Sequence, residues 1–430
     1  MMKLNLNTMF IPNSNLKSVG NKRWIILSLL FFATALNYID RQVIGLLKPT
    51  IAEDLHWSEM DYANIVFYFQ MAYSIGYVTV GRFMDLVGNK KGFFACVGVW
   101  SLACAVHGLV RTVTGFSAAR FFLGLAEPGN FTGCLKGVSM WFPKSERAFA
   151  IGIYNSGTNV GAMLAPFLIP WITVMWGWQW AFYLTGGLGF IWLIAWALCY
   201  HSVNDHPNLT AEEKAYIQSD GPEPKVEKVP YAKILRLRTT WAFGIGNLMP
   251  MTIFWFYLFW LPDFLAKTHG IKLMELGFPL MAIYLAASVG SMIGGGISSS
   301  FIARGMKVLK ARKVAMLISI LFILPIMFAP SVSSLWGCTA IICVVVGSHQ
   351  GWTANMWSLL TDSLPERVVG SVYGIAGLLG SVAGMGMAKT VGYVLQMTGS
   401  YYSLFIGIPA VYCISLLILH LFMPSEPEQI

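Results

Sequence analysis

Residues 24–47 read WIILSLLFFATALNYIDRQVIGLL. About 20 consecutive, mostly apolar residues at 1.5 Å rise each are enough to cross the hydrocarbon core of a bilayer. This run is long enough, yet it keeps Asp40 and Arg41 inside it. A charge at mid-bilayer costs about 2.5–3.5 kcal/mol on insertion scales, so such residues face a cavity or a partner. The run exceeds a signal-peptide core, and Asn37-Tyr38-Ile39-Asp40-Arg41 is not a small-residue cleavage site. It is expected to remain as a span.

The rest of the chain agrees. Of 430 residues, 56% are hydrophobic and 11% charged, against about 25% charged in soluble chains. That leaves too little polar material to cover two or three soluble domains, so lipid must solvate most of the surface. Apolar runs of spanning length fall near 24–47, 61–83, 91–110, 116–140, 148–173 and 178–200, and then near 240–266, 275–303, 314–331, 334–360, 368–395 and 402–423. The expected fold is an all-α integral membrane protein of twelve transmembrane helices in two six-helix halves. Residues 1–23 form an N-terminal cytoplasmic segment, 24–200 the first bundle, 201–239 a cytoplasmic linker, 240–423 the second bundle and 424–430 a cytoplasmic tail.

Most of the 29 lysines and arginines fall in the N-terminal segment, the linker and alternate loops. The opposite loops hold only Lys48, Arg111, Lys267 and Lys272. By the positive-inside rule both termini are cytoplasmic. This topology accounts for the net charge of +9, and nucleic acid is not expected as a partner. The seven cysteines sit in apolar runs without a C-x-x-C, so they read as small buried hydrophobes rather than a disulfide or metal framework. The halves look duplicated: Glu146-Arg147 and Glu366-Arg367 each precede a glycine-rich span, and at the same offset Gly157 meets Gly377. Paired six-helix halves place substrate near the midplane between them.

Gly81-Arg82-Phe83-Met84-Asp85-Leu86-Val87-Gly88-Asn89-Lys90-Lys91 resembles the G-x-x-x-D-[RK]-x-G-x-[RK]-[RK] signature of the major facilitator superfamily, with Leu86 in place of the usual basic residue. Asn37-Tyr38-Ile39-Asp40-Arg41 is similar to the first-span element of the anion:cation symporter family. So are Arg120-x6-Glu127-Pro128-Gly129-Asn130 and Trp141-Phe142-Pro143-x-x-Glu146-Arg147 in the fourth span and the loop after it. Ser348-His349-Gln350-Gly351-Trp352-x2-Asn355 and Trp255 to Pro262 resemble the hexuronate transporter branch. The resemblance implies uptake of an organic anion such as a sugar acid, usually with protons. It also implies conformational roles for Gly81, Asp85, Gly88, Lys90, Arg147 and Arg367, and a substrate-side place for Tyr73, twelve residues before Asp85. In the seventh span Asn247 and Met251 stand where relatives tend to carry a basic residue and an acid.

The residues support this chemistry without the name. Arg120 and Glu127 are seven apart and share a helix face. Asp40 and Arg41 lie at similar depth in the first span. Arginine suits a carboxylate because its planar fork binds both oxygens. Arg41 is therefore the expected anion clamp; Arg120 either does the same or holds Asp40 or Glu127. A buried carboxylate tends to take up a proton, and a nearby cation opposes this. An anion arriving at an arginine can release an acid to protonate, so Asp40 and Glu127 are the candidate proton-coupling pair. The alternative is a structural ion-pair cluster. Lys136 is expected to snorkel or to brace the loop, and Lys389 to be structural. Tyr38, Tyr73, Asn155, Thr158, Asn159, His349, Gln350, Trp352 and Asn355 are candidates for the uncharged part of the substrate, each with helix–helix bonding as its alternative. Gly157-x3-Gly161, Gly290-x3-Gly294 and Gly380-x3-Gly384 allow close helix contact.

The expectation is a proton symporter that imports a sugar acid, with glucuronate or galacturonate preferred, in the cell inner membrane. It would be monomeric and driven by the proton gradient without a cofactor. An organic-phosphate exchanger would want arginines converging from both halves, and the second half has none in mid-span. A transporter-like sensor would want a signalling domain, and only Pro424 to Ile430 follow Met423. No nucleophile–base pair, metal cluster or nucleotide loop suggests an enzyme.

Overall fold

The computed structural model describes residues 20–220 and 229–423, except for the side chains of Glu366 and Arg367. The helices in chain order are α1 (Lys22–Asp54), α2 (Glu59–Val87), α3 (Asn89–His107), α4 (Val113–Ala126), α5 (Gly129–Trp141), α6 (Lys144–Trp176), α7 (Trp178–Cys199), α8 (Ala211–Ile217), α9 (Tyr231–Ile234), α10 (Arg238–His269), α11 (Gly277–Ala303), α12 (Val308–Ile323), α13 (Leu335–Ser363), α14 (Glu366–Thr398) and α15 (Tyr402–Phe422). No β-strand occurs among the described residues. Eight helical segments are long and apolar enough to cross a membrane by length and composition.

Local signals set the boundaries. Ser58 opens α2 with a capping box: its Oγ accepts from the Asp61 amide at 3.1 Å, and Asp61 Oδ2 accepts from the Ser58 amide at 2.9 Å. Gly88, at φ 80°, ends α2 and starts α3, a backbone state that favours glycine. The expected span at 116–140 is two helices, because Glu127-Pro128 forms a turn between α4 and α5. Pro128 has no amide hydrogen to continue the ladder. The ninth span begins earlier than expected, at Val308, and its second half is a 3₁₀ segment, Leu324–Ser331, containing Pro325 and Pro330. The linker carries α8 and α9.

Packing repeats between the two sets of long helices. α1 packs on α6 as α10 packs on α14, and α2 on α4 as α11 on α13. The sets meet through α2 on α14, α6 on α11 and α1 on α10. Gly157 and Gly161 let α6 lie against the α1 backbone: a Cβ on Gly157 would sit 2.6 Å from the Phe31 carbonyl oxygen, and one on Gly161 would meet that of Ala35. Gly290 and Gly294 likewise meet Gly347 and Gly351 of α13. At Gly81, by contrast, a side chain would meet nothing within 4 Å. Below, the termini end is the end where α1 begins and α15 finishes; the far end is its opposite.

Candidate functional site

α1 presents Asn37, Tyr38, Arg41 and Gln42 near mid-depth, and the turn after α4 presents Glu127. Arg41 and Glu127 are both buried. Arg41 Nε donates to Glu127 Oε2 at 2.7 Å, and Nη2 lies 2.6 Å from the same oxygen. Nη2 also donates to Asn37 Oδ1 at 3.2 Å and to the Tyr73 hydroxyl at 3.1 Å. The guanidinium lies over the rings of Tyr38, Tyr73 and Trp255, 4.9, 5.0 and 6.0 Å from their centroids. These bonds do not use Nη1, and the Tyr38 side chain is a further hydrogen-bonding neighbour of the guanidinium. Glu127 Oε1 has no hydrogen-bond partner.

Asp40 points elsewhere, because consecutive helical positions diverge by about 100°. Its Oδ1 accepts from Cys104 Sγ of α3 at 3.3 Å, and that sulfur lies 3.3 Å from Thr185 Oγ1 of α7. Oδ2 is buried without a partner. Arg120 was expected to hold an acid or the substrate. It donates instead to the Arg41 carbonyl at 2.9 Å, leaving Nε and Nη1 buried and unpartnered. The two acids therefore occupy different niches, one beside an arginine and one beside a thiol.

Next to Arg41 a cavity is lined from both sets: Tyr38 and Gln42 of α1, Thr158, Asn159 and Ala162 of α6, Phe254, Tyr257, Leu258 and Leu261 of α10, Ile283, Tyr284 and Ala287 of α11, and Val346, His349 and Gln350 of α13. Several of these carry buried polar atoms without partners: Gln42 Nε2, the Tyr257 hydroxyl and His349 Nε2. His349 Nδ1 pairs with the Tyr412 hydroxyl at 2.6 Å, and the Tyr284 hydroxyl donates to Gln42 Oε1 at 3.1 Å. Asn155 is exposed one turn from Asn159 toward the termini end.

Of the candidates for the uncharged part of the substrate, Tyr73, Asn155, Trp352 and Asn355 do not line the cavity. Asn355 Nδ2 donates to the carbonyls of Gly294 at 2.8 Å and Gly351 at 2.9 Å, bonding α13 to α11. Trp352 is fully buried edge-on against Tyr412. Both touch neighbouring helices, while Trp352 Nε1 and Asn355 Oδ1 are buried without a partner. Sequence reasoning missed Gln42, Tyr257, Tyr284, Cys104 and Thr185. Gln42 follows Arg41 directly and Tyr257 lies in the quoted seventh-span run, so both had a signal; Cys104 resembled every other buried cysteine.

The family model described as Major Facilitator Superfamily matches residues 30–388. The chain belongs to the major facilitator superfamily. It is 28% identical over 394 residues to the hexuronate transporter of Escherichia coli K12, covering 89% of this chain and 90% of the relative. It is 32% identical over 278 residues to the galacturonate transporter of Dickeya chrysanthemi, covering 64% and 80%. A probable galactarate/D-glucarate transporter of Bacillus subtilis is 26% identical over 396 residues, covering 88% and 87%. Among solved structures, a bacterial homologue of the human lysosomal transporter Spinster, inward-facing and unoccupied, superposes with a TM-score of 0.70 at 17% identity, covering 93% and 95%. The chain is thus a multi-pass membrane transport protein and not an enzyme.

This superfamily member closes its far end with charges the sequence reading had placed in loops or passed over. Lys48 was assigned to a loop; it lies inside α1 and is buried. Its Nζ sits 2.7 Å from Glu59 Oε2 of α2 and 2.7 Å from Asp263 Oδ2 of α10. Lys267 pairs with Glu59 and lies 3.2 Å from Asp263, and the Tyr401 hydroxyl donates to Asp263. The Tyr62 hydroxyl donates to the Phe259 carbonyl at 2.8 Å, and Lys389 pairs with Asn64. All of these except Tyr401–Asp263, Lys267–Asp263 and Lys48–Glu59 tie the first set of helices to the second.

At the termini end of the transporter the Gly81–Lys91 motif is braced from α5. Lys136 Nζ lies 2.5 Å from Asp85 Oδ1. Arg147 Nε and Nη2 donate to the carbonyls of Phe142 at 3.0 Å and Ser139 at 2.8 Å, satisfying the end of α5. The Lys90 carbonyl accepts from Trp196 Nε1 at 3.1 Å. The Arg367 side chain lies outside the described residues.

Proposed function

We propose that this transporter imports a sugar-acid anion together with protons by alternating access, with a hexuronate such as glucuronate or galacturonate as the preferred substrate. The observation that carries the reading is the Arg41 fork: it holds Glu127, Asn37 and Tyr73 through Nε and Nη2, and it shares a helical turn with Tyr38 and Gln42, which line a cavity of hydroxyl, amide and imidazole groups. A carboxylate takes the Nη1 edge, and hydroxyls of the sugar take Tyr257, Gln42, Asn159, His349 and Gln350. The anion competes with Glu127 for Arg41, and Glu127 then accepts a proton. Asp40, which accepts from Cys104 and forms no ion pair among the described residues, is the second proton site. The names of the relatives support a sugar acid, and none of the cavity-lining residues from the second set is an arginine, which an organic-phosphate exchanger would want.

The proposed topology has twelve spans: the eight apolar segments plus α2, α3, α13, and α4 with α5, which the turn at Glu127-Pro128 divides into two short helices. The termini end faces the cytoplasm, where most lysines and arginines gather, and the protein works as a monomer in the bacterial inner membrane. Uptake of labelled glucuronate and galacturonate into proteoliposomes, with and without an imposed pH gradient, tests this. Uptake indifferent to the gradient overturns proton coupling. Competition by gluconate, galactonate or glucarate but not by hexuronates overturns the substrate.

A further inference from the structure

We infer that the groove between α12 and α15 is a binding site for one anionic glycerophospholipid, its phosphate held by Lys307, Lys310 and Lys313 and its acyl chains lying against the apolar walls below. The groove has a volume of about 710 Å³. On α12, Lys310, Lys313, Leu317 and Ile320 follow i, i+3, i+7, i+10 spacing and share a face. On α15, Cys413, Leu416, Leu417 and His420 follow i, i+3, i+4, i+7 and do the same. Each stripe is apolar along its length and polar at the termini end, so the two facing stripes form a cleft with a basic mouth. That order of chemistry, cationic then hydrocarbon, is the order of a phospholipid.

Lys307, Lys310 and Lys313 have no acidic or hydrogen-bonded partner among the described residues. Their neighbour Arg312 faces the other way, with Asp362 Oδ2 at 3.0 Å and Ser298 Oγ at 2.8 Å. One short stretch thus neutralises its inward charge and leaves three outward charges on the cleft. From Lys307 to Lys313 the helix rises about 9 Å, so the charges descend from the loop into the cleft rather than ringing its rim. Leu317 is 51% exposed and Leu417 55% exposed, so the walls face lipid in a membrane. Basic pockets between transmembrane helices are a recognised means of holding anionic headgroups. The inference rests on the chain crossing a membrane and is independent of what it transports.

Native mass spectrometry of the full-length protein, released from mixed phosphatidylglycerol–phosphatidylcholine vesicles, tests the site. Wild type is expected to retain phosphatidylglycerol at least about fivefold over phosphatidylcholine, and the triple variant Lys307→Gln, Lys310→Gln, Lys313→Gln to lose that preference. A control variant, Lys214→Gln, Lys233→Gln, Arg236→Gln, removes the same charge from the linker and is expected to keep it. Equal retention of the two lipids by wild type, or equal loss in both variants, overturns the inference. Displacement of the lipid by millimolar inorganic phosphate also overturns it, because a soluble anion would then be the ligand. So does retention seen solely after deleting residues 424–430, which carry Glu426 and Glu428, because the tail would then be the occupant.

Discussion

Two of the buried cations of α1, Arg41 and Lys48, lie seven residues apart on one face of the helix. Arg41 takes its acid from its own set of helices, Glu127 after α4; Lys48 takes one of its acids, Asp263, from the other set. If the two sets rock against each other, the Arg41 pair travels intact and the Lys48–Asp263 pair must part. The first cluster is therefore suited to chemistry needed in both states, and the second to choosing between states. Residue type follows the same division. The planar fork of arginine holds Glu127, Asn37 and Tyr73, while the compact ammonium of lysine sits between Glu59 and Asp263 and can leave either.

The strongest way to break this contrast is Arg41→Lys. The charge survives but the fork is lost, so Glu127 and the substrate can no longer share it. The expected cost is about 3 kcal/mol, or about a hundredfold in hexuronate uptake, with folding retained. If uptake stays within about twofold, the clamp is elsewhere. Asp40→Asn comes next. One coupled proton drives about tenfold accumulation per unit of pH gradient. The variant is expected to lose that accumulation while exchanging labelled for unlabelled substrate at a rate near wild type. Loss of exchange as well would make Asp40 a substrate or structural residue.

Asp263→Asn addresses the other half of the comparison. Lys48 keeps Glu59, so it is not stranded; what goes is one of the two charge pairs that join the sets, Lys267–Glu59 remaining. We expect a shift of about 1–2 kcal/mol toward the state open at the far end, which is about a five- to thirtyfold change in its population. Spin labels at Glu53 and Thr268, read by double electron–electron resonance in a background lacking exposed Cys413, report it as a longer distance distribution. An unchanged distribution shows that the charge bridge does not hold that end closed.

Much of this was legible in the sequence, and the losses have physical causes. Spans and the Asp40, Arg41, Arg120 and Glu127 group were visible because charge in a long apolar run is costly and therefore conspicuous. Which acid meets which arginine was not, because that depends on rotation about the helix axis and on the turn at Pro128. Lys48 and Asp263 escaped for another reason. Each lies near the end of its apolar run, where a charge looks affordable, and only the closure of the far end buries them against each other. That Asn355 and Trp352 lie outside the cavity was not visible, because an amide bonded to a neighbouring helix, or an indole packed on a neighbouring ring, reads the same in one dimension as one facing a cavity.

A third charge pair sets the lower limit of the comparison. Lys136 and Asp85 lie 2.5 Å apart at the termini end, with side chains 30% and 58% exposed. By distance it rivals the two buried clusters, but water competes for both partners. An exposed pair of this kind is worth about 0–1 kcal/mol. Lys136→Gln is therefore expected to lower Tm by no more than about 2–3 °C and to leave uptake within about twofold. Raising the salt concentration should change the wild-type Tm toward that of the variant, as screening weakens an exposed pair and spares a buried one. A loss of uptake as large as that of Arg41→Lys would show that this brace, and not burial, decides which of the three pairs the transport cycle depends on.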